Sequence, residues 1–320
     1  MLQDYQGIVS ATNLPTNTNV VKFSKGDVLL SNIRPYLKKV WYADRNGGCS
    51  ADVFVFKALP ICNSNFLHHV IANDRFIKFA MSGAKGVKMP RGDKEQMITY
   101  KVGLPCIEEQ KKIAVFLSLI DERISTQNKI IEDLKKLKSA ISDRLFKNIK
   151  GDVITLSEIC DIVKGKQING EYLTESGEYY VMNGGTEPSG YYGDYNVDAN
   201  TISISEGGNS CGYVQFNTSP FWSGGHCYSI QNIADHVDNL YLYHYLKSNE
   251  EVIMRLRIGS GLPNIQKKDL TMFKIKVPTF EQQITISTFL SSLERKADIE
   301  ERILNVILKQ KLYLLQQMFI

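Results

Sequence analysis

The chain has 320 residues, 43% of them hydrophobic and 22% charged, with a formal net charge of +4. This composition suits one or two ordinary globular domains, two fitting the length better, and excludes a disordered or fibrous polymer. So mild a basic excess permits nucleic-acid binding without arguing for it, and cysteines at 49, 62, 106, 160, 211 and 227, with no CxxC pair, indicate neither a zinc site nor a disulfide framework.

The opening MLQDYQGIVS lacks a positively charged start and an apolar core, and no run approaches roughly eighteen apolar residues, so the expected compartment is the cytoplasm. From Phe23 to Ala58 the chain is rich in β-branched and aromatic residues punctuated by glycine, the pattern of strands with turns. The basic stretch Lys85, Lys88, Arg91 and Lys94 then precedes a short strand at Tyr100-Lys101-Val102. Beyond Pro105 the apolar positions Ile113, Leu117, Ile120, Ile124, Ile131 and Leu134 step by 4, 3, 4, 7 and 3, the seam of a coiled coil, which predicts a helix over 108–147. Glu108 and Glu109 occupy its first turn, where the helix dipole favours negative charge. At 1.5 Å per residue such a helix is on the order of 60 Å long, more than a compact domain needs, so it reads as a spacer.

A second β-rich segment, Asn183 to Ile230, is followed by a short strand at Phe273-Lys274-Ile275 and a second helix. Its Ile286, Leu290, Leu293, Ala297, Leu304 and Ile307 step as the first seam does, with Glu281 in the first turn. The skipped seam position is polar in both helices, Gln127 and Glu300. Residues of that kind cost stability and fix register, which suggests that the two helices face one another.

These similarities are one internal repeat with an offset of 173, from Pro105 to Pro278. At that offset Glu108 meets Glu281, Gln110 meets Gln283, Phe116-Leu117-Ser118 meets Phe289-Leu290-Ser291, and Phe146 meets Phe319. Backwards, Gly86 meets Gly259, Met89-Pro90 meets Leu262-Pro263, and Lys94 meets Lys267. The two β-rich segments are not obvious copies of each other. A frame used twice with unlike surfaces suits a binding protein with two different sites; a duplication that simply drifted is the competing reading. Motifs for chemistry are absent: there is no Asn/Asp-Pro-Pro-Phe/Tyr tetrapeptide, no phosphate loop, no PD-(D/E)xK nuclease pattern and no HExxH among the five histidines. Cys211 with His226-Cys227 reads as buried thiols rather than a metal site, so no catalytic and no metal-binding residue is expected.

The run strand-Pro-x-x-Glu-x-Gln-x-x-Ile-x-x-Phe-Leu, continued by a long helix, occurs as KVGLPCIEEQKKIAVFLSLID (Lys101 to Asp121) and as KIKVPTFEQQITISTFLSSLE (Lys274 to Glu294). Together with KGDVLLSNIRPYLKK (Lys25 to Lys39) and GSGLPNIQKKDL (Gly259 to Leu270), it resembles the specificity subunits of type I restriction-modification systems over nearly the whole chain. The resemblance implies an α+β protein in which two β-rich target-recognition domains are separated by two long antiparallel helices forming a coiled coil that sets the distance between half-sites. The corresponding segments are 1–104 (first recognition domain), 105–150 (first spacer helix), 151–277 (second recognition domain) and 278–320 (second spacer helix). It implies double-stranded DNA, modification (methyltransferase) subunits and restriction (translocase and nuclease) subunits as partners. The chain itself would be non-catalytic and without cofactor, S-adenosylmethionine, ATP and magnesium belonging to those partners. In one respect the chain departs from this pattern: VITLSEICDIVKGKQI (Val153 to Ile168) has no counterpart near Met1, so the first recognition domain is expected to be truncated at its amino end and to leave a sheet edge open. A regulatory or nonfunctional half-reader, and a coiled-coil adaptor carrying two protein-binding modules, remain the alternatives.

Under the DNA-reading interpretation, lysine and arginine contact phosphates while planar side chains reach base edges. The first domain offers Asn32, Arg34, Tyr36, Lys38 and Lys39, with Arg34 the preferred base reader against a solvated strand edge in which it pairs a carboxylate. Lys85, Lys88, Arg91 and Lys94 suit phosphate positioning, and Lys94 with its repeat partner Lys267 would be shared anchors; a basic loop that touches nothing is the bland reading. In the second domain the glycine-flanked clusters present Thr186, Tyr191, Tyr192, Glu206, Asn209, Trp222 and His226, followed by Asn264. Asn209 could read adenine and Glu206 could accept from a cytosine amino group, whereas glycine-rich turns mostly serve the turn itself.

Overall fold

The computed structural model describes residues 1–5, 7–9, 20–259, 261 and 263–319, so that Leu262 of the repeat lies outside the described residues. The chain divides into two compact units, Met1–Lys129 with Glu301–Ile320, and Ile130–Glu300.

In the first unit, β1 (Val20–Phe23), β2 (Val28–Ser31), β3 (Val40–Tyr42), β4 (Gly47–Ser50) and β5 (Val53–Phe56) form a β1-β4 ladder and an antiparallel sheet of order β3-β2-β5. Strand β2 is covered on both faces, which accounts for its unbroken Val28-Leu29-Leu30 run. Val28 and Leu30 pack with Ile71, Phe76, Ile77, Ala80 and Met97, while Leu29 packs with Phe23 and Ala43. The helices behind the sheet are α1 (Ser64–Ile71), α2 (Asp74–Ser82) and α3 (Lys94–Met97). Each starts at an Asn or Asp whose side chain accepts from the first-turn amides: Asn63 from Asn65 and Phe66, Asn73 from Arg75, Asp93 from Glu95 and Gln96. Helix α4 (Ile107–Asn148) follows, 42 residues long, and passes into the second unit after Lys129.

The second unit adds β6 (Asp152–Thr155), β7 (Asp161–Lys164), β8 (Tyr179–Met182), β9 (Tyr191–Tyr192), β10 (Thr201–Ser205), β11 (Val214–Asn217), β12 (Phe221–Ser223) and β13 (Cys227–Gln231). After α5 (Asn239–Ser248), α6 (Glu250–Met254), α7 (Lys267–Thr271) and β14 (Lys274–Val277), the chain ends in α8 (Phe280–Met318), 39 residues long. Its sheets have the orders β11-β10-β13-β7, β12-β8-β9 and β14-β6. The two β-rich segments, divergent in sequence, share one frame. In β2 and β5, Val28 lies opposite Phe56 and Leu30 opposite Phe54; in β10 and β13, Ile202 lies opposite Ile230 and Ile204 opposite Tyr228. The frame requires only bulky apolar residues at alternate positions, so it persists with almost no identities.

Within each unit the long helices pair antiparallel along the predicted seam. Leu117, Gln127, Ile131, Leu290, Ala297 and Ile307 are buried, and Ile113, Ile120, Ile124, Leu134, Ile286, Leu293, Glu300 and Leu304 are half-buried. In the first unit Ala114 and Leu117 share a core cluster with Leu315 and Phe319, while Asp121, further along, pairs with Lys311. In the second, Lys138 Nζ lies 2.8 Å from Glu294 Oε1, and Leu145 and Ile149 line a hollow with Ile286. Lys138 and Lys311 are themselves repeat partners, as are Asp121 and Glu294.

The glutamine of the repeated motif joins each long helix to its β-rich head. Gln110 Oε1 accepts from the Asn63 amide at 2.7 Å, and its Nε2 donates to the carbonyls of Ile61 at 3.0 Å and Pro105 at 2.8 Å. Gln283 does the same with the Asp238 amide at 2.8 Å and the carbonyls of His236 at 3.0 Å and Pro278 at 2.9 Å. Nearby, His69 Nε2 sits 3.3 Å from Ser118 Oγ and His244 Nε2 sits 2.9 Å from Ser291 Oγ. Burial, reinforced by Lys311 beside His69 and Lys138 beside His244, pushes each imidazole down to about 4.

Gln110→Ala or Gln283→Ala leaves a buried amide without its acceptor and two carbonyls without a donor. Each substitution should lower stability by about 1–3 kcal/mol in denaturant titrations; an unchanged midpoint would show that the clamp is dispensable. The histidines have folded values below the unfolded one, so the unfolded chain takes protons first. Stability is then complete above about pH 6.5 and declines as the pH falls towards 4. The double variant His69→Asn, His244→Asn should flatten that decline in thermal melts, His68, also lowered by burial, accounting for the remainder.

Candidate nucleic-acid interface

At the end of β2, and again at the end of β10, the chain leaves the sheet through a tight corner with the same backbone bonds. Asn32 N donates to Asp52 O at 2.8 Å and Glu206 N to His226 O at 2.9 Å; Arg34 N donates to Pro90 O at 2.8 Å and Gly208 N to Pro263 O at 3.0 Å. A closed turn leans on each corner: Lys85 and Arg91 exchange both backbone bonds at 2.9 Å, and Ile258 and Asn264 at 2.8 and 3.0 Å. Gly86 (φ 98°) and Gly259 (φ 104°) supply the left-handed residue these turns require. The corners differ in side chains: Asn32, Arg34, Asp52, Lys85 and Arg91 in one, and Glu206, Gly208, His226, Ile258 and Asn264 in the other.

The first corner is basic. Arg91 Nη2 reaches Asp52 Oδ1 at 3.2 Å, and Lys85 Nζ reaches Asp93 Oδ2 at 3.0 Å, holding that carboxyl below its ordinary value. Lys88 is exposed in the turn, beside the exposed Val87 and Met89. Arg34 has no ion pair among the described residues; its Nε and the Oδ1 of Asn32 are buried without a hydrogen-bond partner. Arg34 also holds φ 52°, ψ 63°, left-handed values that its counterpart Gly208 (φ 76°) reaches without strain. Lys38 is engaged within the unit, 2.8 Å from Asp74 Oδ1 and 5.8 Å from the Tyr5 ring centre. Tyr36 is exposed and Lys39 half-buried.

In the second corner Glu206 is buried, 4% exposed. Its Oε1 accepts from Lys164 Nζ at 2.6 Å and from the Tyr228 hydroxyl at 3.0 Å, while Oε2, 3.7 Å from His226 Nδ1, has no hydrogen-bond partner. Burial and the adjacent Glu206 push the Tyr228 hydroxyl above its ordinary value. His226 and Asn264 are exposed beside Glu206, and Asn209 is exposed on the same loop. Tyr191, Tyr192 and Trp222 belong to the separate β12-β8-β9 sheet, where Tyr192 and Trp222 meet edge to face at 5.2 Å and Trp222 Nε1 donates to Lys166 O at 2.9 Å. Thr186 is exposed in the segment that links β8 to β9, which starts beside the second corner, where Asn183 Oδ1 accepts from the His226 amide at 3.1 Å. Lys94 and Lys267 are exposed first residues of α3 and α7, with no ion pair among the described residues. The thiols of Cys211 and Cys227 are buried and donate to the carbonyls of Glu206 at 2.9 Å and Tyr228 at 3.6 Å.

Asp52, Lys164 and Tyr228 carry no signal in the sequence that marks them for the corners. The faintest trace is at Lys164, a lysine ending the apolar stretch Ile162-Val163 with its partner carboxylate 42 positions away.

No described helix is long and apolar enough to cross a membrane. Residues 4–136 and 148–309 match the family model of the type I restriction modification DNA specificity domain. A Mycoplasma genitalium protein named as a putative type I specificity subunit is 32% identical over 165 residues, 49% of this chain and 43% of that protein. The specificity subunit of type I restriction enzyme MjaVIII from Methanocaldococcus jannaschii is 26% identical over 264 residues, covering 70% of this chain and 62% of the relative. The matches thus span less than two thirds of these relatives. The crystal structure of a type I restriction-modification system S subunit from M. genitalium shares the fold, with a TM-score of 0.73 at 20% identity over 100% of this chain and 90% of that one. With both halves matched by the same model, the chain belongs to the type I restriction-modification DNA specificity family.

Proposed function

We propose that this chain is a non-catalytic DNA-reading subunit in which each unit reads one part of a bipartite target through its corner, and on which modification and restriction subunits assemble. The observation that carries this reading is the pair of corners with the same backbone and different polar side chains: a common frame gives the same approach to a duplex, and unlike side chains give unlike half-sites. In the first corner Asn32 and Arg34 face bases, with Lys85, Lys88 and Arg91 on phosphates. In the second, Glu206, held rigid by Lys164 and Tyr228, accepts from a base amino group, with Asn209, His226 and Asn264 around it. Lys94 and Lys267 bind phosphate at equivalent places. The S-adenosylmethionine, ATP and magnesium chemistry belongs to the assembling subunits.

The test is a duplex-DNA titration of the chain with a modification subunit at several salt concentrations. Affinity should fall steeply with salt, and Lys94→Ala or Lys267→Ala should each reduce the log–log slope by about one without altering sequence preference. A salt-independent or absent affinity would instead support a protein-binding adaptor. Arg34→Gly separates structure from reading. It should relieve about 1 kcal/mol of left-handed strain, leaving thermal stability unchanged or higher, while discrimination at one base pair weakens by about 1–3 kcal/mol. Retained discrimination would remove Arg34 from the reading set.

A further inference from the structure

The closed turn from Lys85 to Arg91 is bonded at its base to the first corner. Arg34 N donates to Pro90 O at 2.8 Å, Gly92 N donates to Asn32 O at 3.3 Å, and Ile33 and Arg91 form an isolated antiparallel bridge. Lys85 and Arg91 close the turn with two backbone bonds of 2.9 Å, and Gly86 (φ 98°) folds the chain back so closely that a Cβ there would lie 3.4 Å from Met89 O. The tip of the turn is therefore carried at a fixed place beside Asn32 and Arg34.

That tip differs in chemistry from the base of the turn. Val87 is 103% exposed and Met89 51%, with the exposed Lys88 between them. The cations at the base are held by carboxylates of the same unit, Lys85 by Asp93 and Arg91 by Asp52. One exposed apolar residue is ordinary on a protein surface; two on the tip of a turn tied to Asn32 and Arg34 place apolar surface where a duplex read by those residues must pass.

Resting on the DNA-reading function proposed above, we infer that Val87 and Met89 are apolar base readers, which cover the C5-methyl group of a thymine next to the base pair met by Asn32 and Arg34, while Lys88 takes a flanking phosphate. Phosphates are charged and base edges carry hydrogen-bonding groups, so neither suits an apolar tip. The thymine methyl is the one apolar group that the major groove presents. Its contact with Val87 and Met89 removes the methyl and both side chains from water. Uracil pairs as thymine does and keeps every hydrogen-bonding group, so exchanging the two bases removes this contact alone.

The probe is the duplex that the chain, together with a modification subunit, selects from a random pool, remade with each thymine in turn replaced by deoxyuridine. At one thymine the replacement should weaken binding by about fourfold, the effect of uncovering one methyl group. The double variant Val87→Ala, Met89→Ala should bind the thymine and uracil duplexes equally. Its thermal stability and its log–log salt slope should match those of the unaltered chain, because both side chains are exposed and uncharged; Val87→Ile should keep the discrimination. The inference is overturned if no deoxyuridine substitution separates the unaltered chain from the alanine variant, or if that variant lowers the salt slope. Weaker capture of the modification subunit by the variant in the absence of DNA would also overturn it, by making the tip a protein contact. A chain that selects no duplex fails the DNA-reading function itself, whereas a selected duplex insensitive to uracil fails this inference alone.

Discussion

Each unit depends on one buried side-chain amide. Gln110 and Gln283 sit in the first turn of a long helix, and each satisfies one backbone amide and two carbonyls that no secondary structure serves. The amides belong to Asn63 and Asp238, the residues that cap α1 and α5. The same glutamine therefore fixes where the long helix begins, where the first helix behind the sheet begins, and the angle between them. An aromatic contact completes each joint, Phe66 with Phe319 at 5.3 Å and Tyr241 with Phe146 at 5.8 Å between ring centres. A carboxylate could accept from the amide but could not donate to the carbonyls, and an apolar residue would satisfy none of the three.

With the joint fixed, the β-rich head is free to vary. The corner needs only a backbone path: a strand end, a left-handed residue, and a closed turn that leans against it. That path is held by backbone bonds rather than by the corner's own side chains, so it carries a basic set in one unit and a buried carboxylate with asparagines in the other. The buried, unpartnered Asn32 Oδ1, Arg34 Nε and Glu206 Oε2 stand out in this setting. Polar atoms removed from water without a partner are costly, and their occurrence on the equivalent residues Asn32 and Glu206 makes both corners places where an incoming donor or acceptor would be satisfied.

Much of this architecture is legible in the amino-acid sequence. The heptad steps of Ile113 to Leu134 and of Ile286 to Ile307 locate both helices and their buried faces, because helical periodicity is a local property that the residues themselves carry. The candidate readers fare unevenly. Arg91, Glu206, His226 and Asn264 are gathered at the corners, whereas Lys38 is engaged by Asp74, Trp222 and Tyr192 belong to another sheet, and Thr186 is exposed in the link between β8 and β9.

The order of the amino acids alone determined the two long helices, their seams, their repeat and the strand-rich character of Phe23–Ala58 and Asn183–Ile230, since these follow from spacing along the chain; the short strand expected at Tyr100-Lys101-Val102 is irregular backbone, because no described strand pairs with it. Only the tertiary structure decided that the two unlike β-rich segments are one frame, that Glu206 is held between Lys164 and Tyr228, and that Arg34 lies at the position Gly208 occupies in the other unit. Those facts depend on which strands pair and in what register, a choice made between residues tens of positions apart by burial rather than by any local signal.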